Sequence, residues 1–137
     1  MNIGFLITPK NDVVWVYNDI SMRQAMEKME YHRYAAIPII SRSGKYVGTL
    51  TEGDLLWQLK KMMKGTLRDT GAVRLSSVQR NRDNLPVPIS CTIEEASYLS
   101  MKQSFVPVVD DEGVFIGMVL RSTLIKHYLK KKSEESK

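Results

Sequence analysis

The sequence predicts an α+β fold built from two copies of one half-domain. The main observation is an internal repeat, in which the stretch from Ala36 to Leu56 aligns without a gap over the stretch from Phe105 to Ile125. In each copy, apolar residues first recur at helical spacing and then form short runs rich in β-branched residues. The composition, 43% hydrophobic and 26% charged over 137 residues, is that of a soluble globular protein. This length suits one ordinary domain or two small units that share a core.

Each copy begins with a predicted helix. Ser21 and Thr92 stand where N-cap residues belong, and Glu95 follows Thr92 at the capping-box position. After Ser21 the apolar residues Ala25 and Met29 recur with the period of a helix. These signals predict one helix at the start of each copy.

Two predicted strands and a second helix follow in each copy. The runs 37–40 and 106–109 are short buried-strand candidates, and a proline in each places it at a strand start or edge. SRSGK and DDEGV then indicate hairpin turns. The next strands, 46–50 and 115–120, lead into helices that begin at about Gly53 and Ser122. Because one copy alone would bury little apolar area, the two copies are expected to pack together.

The repeat also divides the chain into segments. We expect a first repeat over residues 1–62, a basic linker over 63–77, a second repeat over 78–130 and a disordered tail over 131–137. The net charge is +5, and its basic residues cluster in and around the linker. Clustered positive charge attracts phosphate, either in a nucleotide or in a polymer. The residues concerned are Lys60, Lys61, Lys64, Arg68, Arg74, Arg80 and Arg82, against the single acid Asp69.

Several classes of protein are disfavoured by the same sequence. No apolar run approaches the roughly 20 residues of a membrane span, and the N-terminus does not resemble a signal peptide. Cys91 alone forms no disulfide framework, and two separated histidines form no metal cluster. We therefore expect a cytoplasmic protein without a metal site.

The repeated motifs resemble a tandem pair of CBS domains, the Bateman module. RYAAIP at 33–38 and GTLTEGD at 48–54 carry the resemblance most specifically, and it extends over about Leu6 to Leu129. The resemblance implies two β-α-β-β-α repeats packed with pseudo-twofold symmetry, and a cleft between them that binds adenine nucleotides or related adenosyl ligands. It also implies a homodimer, for which Met62 and Met63 beside Trp57 could supply an exposed face.

The same resemblance implies roles for the T-x-x-D motif. The Asp54 carboxylate would accept hydrogen bonds from the ribose hydroxyls, and Thr51 would face phosphate at the positive helix end. Alternatively, both residues only cap the following helix. Arg80, with Arg82, could donate to a phosphate, and Phe105 could flank the purine or belong to the core. The residues predicted to bind the nucleotide are Thr49, Thr51, Asp54, Arg80, Gln103, Ser104, Phe105 and Val106.

A mirror-related second site departs from this pattern. Leu120 replaces the hydroxyl of the motif and Thr123 replaces its carboxylate. A ribose there would lose a charge-assisted hydrogen bond of about 1.5–3 kcal/mol, which predicts a weak or empty site. Arg121 could bind a phosphate there or be solvated. The residues of this second site are Thr8, Val13, Tyr34, Ala35, Met118, Arg121 and Thr123.

The predicted function is that of a non-catalytic regulatory module. An adenine nucleotide of the AMP, ADP or ATP kind would bind and a partner protein would detect the change, with c-di-AMP or S-adenosylmethionine as alternative ligands. A different class, nucleic-acid binding through the basic linker, lacks aromatic residues for stacking within that stretch. For an enzyme, Cys91 before a helix could have a lowered pKa, but no histidine is placed beside it and no Gly-rich phosphate loop is present.

Overall fold

The computed structural model describes residues 1–62 and 67–135 and divides the chain into two compact units. The first unit is Val14–Asp83, and the second combines Met1–Val13 with Asn84–Lys137. The helices are α1 (Met22–His32), α2 (Glu52–Lys61), α3 (Ile93–Ser100) and α4 (Arg121–Glu135). The strands are β1 (Thr8–Pro9), β2 (Val16–Tyr17), β3 (Ala36–Ile40), β4 (Tyr46–Thr51), β5 (Val87–Pro88), β6 (Phe105–Val109) and β7 (Phe115–Leu120).

The first unit contains a three-stranded sheet in the order β2-β3-β4. β3 and β4 form an antiparallel hairpin, and β2 runs parallel to β3. The SRSGK turn closes this hairpin, with the amide of Ser41 donating to the carbonyl of Lys45 at 2.9 Å. Gly44 takes a φ of 89°, the left-handed region that favours glycine. The predicted hairpin is therefore present.

The second unit contains a four-stranded sheet in the order β1-β7-β6-β5. Its hairpin, β6 with β7, and its parallel pair, β5 with β6, repeat the arrangement of the first unit. The fourth strand is β1 from the N-terminus, which pairs antiparallel with β7 so that Thr8 lies opposite Met118. The N-terminal segment therefore belongs to the unit formed by the second sequence copy, whereas the sequence grouped it with the first.

The prolines of β3 and β6 lie within their strands. Pro38 pairs with Thr49 in the middle of β3, and Pro107 occupies the equivalent position in β6. Both strands are central in their sheets, so the prediction of a strand start or edge is wrong as stated. The position is tolerated because β2 and β5 pair only with residues after the proline, so no ladder hydrogen bond to them is needed at the proline itself.

The predicted linker and tail are partly structured. Residues 63–66 of the linker lie outside the described residues, but 3₁₀ turns cover Leu67–Gly71 and Leu75–Ser77. Leu75, an apolar residue of this stretch, is buried in the core of the first unit. At the other end, α4 continues to Glu135, where the sequence predicted a disordered tail from residue 131.

Each unit has its own apolar core. In the first unit, α1 and α2 begin one residue after capping residues Ser21 and Thr51, and both cover the sheet with apolar side chains. In the second unit, Thr92 caps α3 by accepting a hydrogen bond from the amide of Glu95 at 3.1 Å. Among the helices of the described ranges, none is long and apolar enough to cross a bilayer.

Candidate functional site

The T-x-x-D motif lies where β4 ends and α2 begins. Thr51 is the N-cap of α2, and its hydroxyl accepts a hydrogen bond from the amide of Asp54 at 3.1 Å. The Asp54 carboxylate accepts one in return from the amide of Thr51, also at 3.1 Å. This reciprocal pair is a complete capping box, so the helix-capping role considered for these residues is present.

The second carboxylate oxygen of Asp54 holds a distant segment. It accepts a hydrogen bond from the backbone amide of Asn81 at 2.9 Å, and the Asp54 side chain is buried, with only 2% exposed. Asp54 also lines an open pocket of about 280 Å³. The remaining lining residues of this pocket are Trp57, Gln58, Lys61, Gln79 and Asn81.

Arg80, the predicted phosphate ligand, is paired with Asp83. Its Nε lies 2.7 Å from one carboxylate oxygen of Asp83 and its Nη2 lies 3.2 Å from the other. The hydrogen bond to Asp83 raises the pKa of Arg80 above its ordinary value. Burial alone would raise the pKa of Asp83, but hydrogen bonds from Arg80 and from the amide of Thr49 lower it overall. The pair is therefore charged and two-pronged at neutral pH.

Thr49 connects this ion pair to the sheet. Its amide donates to the carboxylate of Asp83 at 2.9 Å, and its hydroxyl lies 2.7 Å from the hydroxyl of Tyr46. Burial raises the pKa of Tyr46 to about 12. Thr49 and Arg80 thus share the carboxylate of Asp83. Thr51 and Asp54 form a second hydrogen-bonded group, which reaches the same segment at the amide of Asn81.

The predicted site residues of the second unit take part in its hydrogen bonds to the backbone or are buried. Gln103 is 5% exposed; its amide oxygen accepts from the amide of Leu85 at 2.9 Å, and its NH₂ donates to the carbonyls of Leu85 and Phe105. Phe105 and Val106 are buried, and Val106 belongs to the apolar core. Ser104 is exposed, and its carbonyl accepts from the amide of Arg121 at 3.0 Å.

The residues of the predicted second site are divided between the units. Thr8 and Met118 lie opposite each other on β1 and β7, and Val13 follows in the same unit. Arg121 donates from Nε to the carbonyl of Ser100 at the end of α3, at 2.6 Å, so its guanidinium has a protein partner. Thr123 is half-buried in α4, whereas Tyr34 and Ala35 are exposed in the first unit.

The remaining groups that could carry chemistry are the thiol of Cys91 and side chains able to bind a metal. Cys91 is buried, and burial followed by the nearby Glu95 carboxylate raises its pKa to about 11. The expectation that its pKa could be lowered is therefore wrong, because the thiol meets apolar neighbours and a negative charge at the helix start. Within residues 1–62 and 67–135, no group of three histidine, cysteine or acidic residues is placed to hold a metal ion.

Two residues that contact the predicted nucleotide-binding residues were not identified from the sequence. Asp83 was overlooked because the basic stretch ends at Arg82, one residue before it. Its spacing of three residues from Arg80 is a signal that could have identified the ion pair. Asn81 contributes its backbone amide, and a backbone donor leaves no signature in the sequence.

Comparison with known proteins places these features in a family. A family model described as the CBS domain matches residues 6–61 and, a second time, residues 76–130. Among curated proteins, homoserine O-acetyltransferase of Methanocorpusculum labreanum is 28% identical over 131 residues, covering 89% of this chain and 25% of that protein. The chain therefore spans about a quarter of the length of this relative.

Solved structures share the whole fold at low sequence identity. CbpB in complex with c-di-AMP matches with a TM-score of 0.86 and 19% identity, over 98% of this chain and 91% of that chain. CBSX2 in complex with AMP matches with a TM-score of 0.77 and 24% identity, over 96% of this chain and 98% of that chain. The family model accounts for most of the sequence in two consecutive copies, and the chain belongs to the CBS domain family as a tandem CBS pair.

Proposed function

We propose that the chain is a non-catalytic regulatory module that binds an adenine nucleotide in the cytoplasm and relays binding to a partner protein. Its family membership supports this, as do the fold relatives whose structures contain AMP and c-di-AMP. The observation that carries the proposal is that the Asp54 carboxylate accepts the backbone amide of Asn81, the residue that follows Arg80 in the same unit.

These two side chains suit the two polar parts of a nucleotide. An ionised carboxylate offers about four acceptor positions, and the two backbone hydrogen bonds of Asp54 use part of that capacity. A ribose diol supplies two donors to such a group. Arg80 and Lys61 provide positive charge in the same unit, which favours phosphate. The first unit therefore offers a carboxylate acceptor for the sugar and positive charge for the phosphate.

The candidate adenosyl ligands differ in whether they carry a phosphate group that Arg80 can bind. AMP, ADP, ATP and c-di-AMP all offer phosphate oxygens to Arg80. S-adenosylmethionine carries no phosphate for Arg80 or Lys61 to bind. We therefore favour a phosphorylated adenosine ligand, with c-di-AMP as the alternative within this class.

Relay to a partner requires two shapes with unequal ligand affinity. We propose that the module works as a homodimer, since the large apolar side chains of Leu56 and Trp57 on α2 are 60% and 57% exposed. Met63 of the predicted dimer face lies outside the described residues. Sedimentation at micromolar concentration tests this part, and a monomer there would contradict it.

The binding proposal is tested by ligand-induced thermal shifts. Wild type, Asp54→Ala and Thr123→Ala are heated with AMP, ADP, ATP, c-di-AMP and S-adenosylmethionine. Thr123 aligns with Asp54 in the second copy and serves as the matched control. A ligand at about 100 times its Kd stabilises the fold by about 2.7 kcal/mol, so a shift of several degrees is expected for wild type and Thr123→Ala. Because Asp54 also caps α2, the shift rather than the Tm is compared, and equal shifts in Asp54→Ala would refute the assignment.

A further inference from the structure

Arg80, the proposed phosphate-binding residue, already forms an ion pair with the carboxylate of Asp83. Arg80 presents Nε and Nη2 to the two oxygens of Asp83, at 2.7 and 3.2 Å. This is the two-pronged geometry with which a guanidinium binds phosphate. The side chains are 23% and 39% exposed, so solvent screens the pair only in part.

Asp83 is held in this position by more than its charge. The oxygen that contacts Arg80 Nε also accepts the amide of Thr49 at 2.9 Å. Gly48, one residue earlier, leaves the room for it, since a Cβ there would lie 2.5 Å from this oxygen and 2.8 Å from Arg80 Nε. The backbone of β4 thus both admits the carboxylate and donates to it.

We propose that Asp83 is an internal competitor for phosphate at Arg80 and determines how strongly the module discriminates between phosphorylated and unphosphorylated ligands. A phosphate that reaches Arg80 must displace the Asp83 carboxylate or share the guanidinium with it. Two anions on one cation repel each other, so the affinity gained from a phosphate group is reduced. The adenosine part of a ligand does not meet this competition. This inference rests on the proposed function, because it takes Arg80 as the phosphate donor.

Removing only the charge of Asp83 tests the competition. Asp83→Asn keeps an amide oxygen that can accept from Thr49, but it no longer neutralises Arg80. The control is Asp19→Asn, which removes a carboxylate from a second aspartate–arginine pair of the same unit, with Arg42 at 2.7 Å. Calorimetry measures the Kd of AMP, ATP, c-di-AMP and adenosine for wild type and both variants.

The inference predicts that Asp83→Asn binds the phosphorylated ligands at least threefold more tightly, while adenosine changes less than twofold and Asp19→Asn behaves as wild type. Tight binding by Asp83→Asn with no binding by wild type also supports it. If wild type binds phosphorylated ligands and Asp83→Asn does not tighten them, this inference fails and the proposed function stands. If neither protein binds any of the four ligands, both fail.

Discussion

The carboxylate of Asp54 accepts the backbone amide of Asn81 at 2.9 Å and so joins the start of α2 to a segment 27 residues further along the chain. Its other oxygen completes the capping box of the same helix. One buried side chain therefore both begins a helix and fixes the backbone next to Arg80. The predicted ligand contact and the helix cap are not exclusive alternatives, since the capping geometry also holds the carboxylate in a fixed orientation.

Replacing Asp54 is expected to lower stability without any ligand. Asp54→Ala removes the cap contact and the acceptor of Asn81, and we expect a loss of about 1–3 kcal/mol in the free energy of unfolding. Asp54→Asn keeps one acceptor oxygen but turns its NH₂ towards the other amide donor, so it should recover only part of this loss. Thr123→Ala, at the aligned position of α4, should stay within about 0.5 kcal/mol of wild type. Urea unfolding measures all three, and equal values for the two Asp54 variants would show that the acceptor is unimportant.

The pairing of β1 with β7 depends on a glycine. The Cβ of an alanine at Gly117 would collide with the carbonyl oxygen of Thr8 on the neighbouring strand, and a backbone atom cannot rotate away. Gly117→Ala should therefore separate β1 from β7 and cost about 1–3 kcal/mol. Amide exchange should accelerate at Thr8 and Met118, the paired residues.

Gly53→Ala is the matched control for this experiment. Its Cβ would meet only the Thr51 hydroxyl at 3.7 Å, an ordinary contact, and alanine favours the helix by up to about 1 kcal/mol. It should equal or exceed wild type in stability. Unchanged exchange at Thr8 in Gly117→Ala would mean that the N-terminal segment is not held to β7.

The features that the sequence predicted are those specified by neighbouring residues. Ser21, Thr51 and Thr92 act as caps through contacts three residues away, and the turns before Lys45 and Val114 close as expected. Here the chemical signal and the structure it specifies lie within one short window. Because the two copies align, each local prediction made for one copy also applied to the other.

The features that it missed depend on residues far apart in the chain. The two-residue strand β1 has no periodicity to detect, and its partner β7 lies more than a hundred residues later. Gln103 was expected to face a ligand, but an amide side chain suits a ligand and a backbone equally well, and here it binds Leu85 and Phe105. The repeat alignment also gave no sign that Met1–Val13 belongs to the unit of the second copy, because aligned copies need not coincide with compact units.

A Cβ at Gly48 is expected to change the titration of Asp83. Gly48→Ala would press on the Asp83 carboxylate and Arg80 Nε, which belong to side chains that can rotate, so the ion pair rather than the sheet should give way. The pKa of Asp83, now lowered by its hydrogen bonds, should then rise towards its ordinary value of 3.8. Carboxyl NMR titration measures this shift, with Gly53→Ala as the control. An unchanged pKa in Gly48→Ala would show that the pair tolerates the methyl group.

The partly buried hydroxyl of Tyr46 should make stability fall at alkaline pH. Burial raises its pKa from 10.0 to about 12 in the folded chain, so the unfolded chain loses this proton first. The contribution is complete below pH 10 and disappears as the pH rises to about 12, by roughly 2–3 kcal/mol in total.

Tyr46→Phe removes that part of the pH dependence, although it also loses the hydrogen bond to Thr49. Urea unfolding at pH 9, 10 and 11 should therefore show a shallower decline for Tyr46→Phe than for wild type. Tyr31→Phe, which alters an exposed ring, should decline as wild type does, and parallel curves for all three proteins would mean that Tyr46 titrates like a solvated phenol.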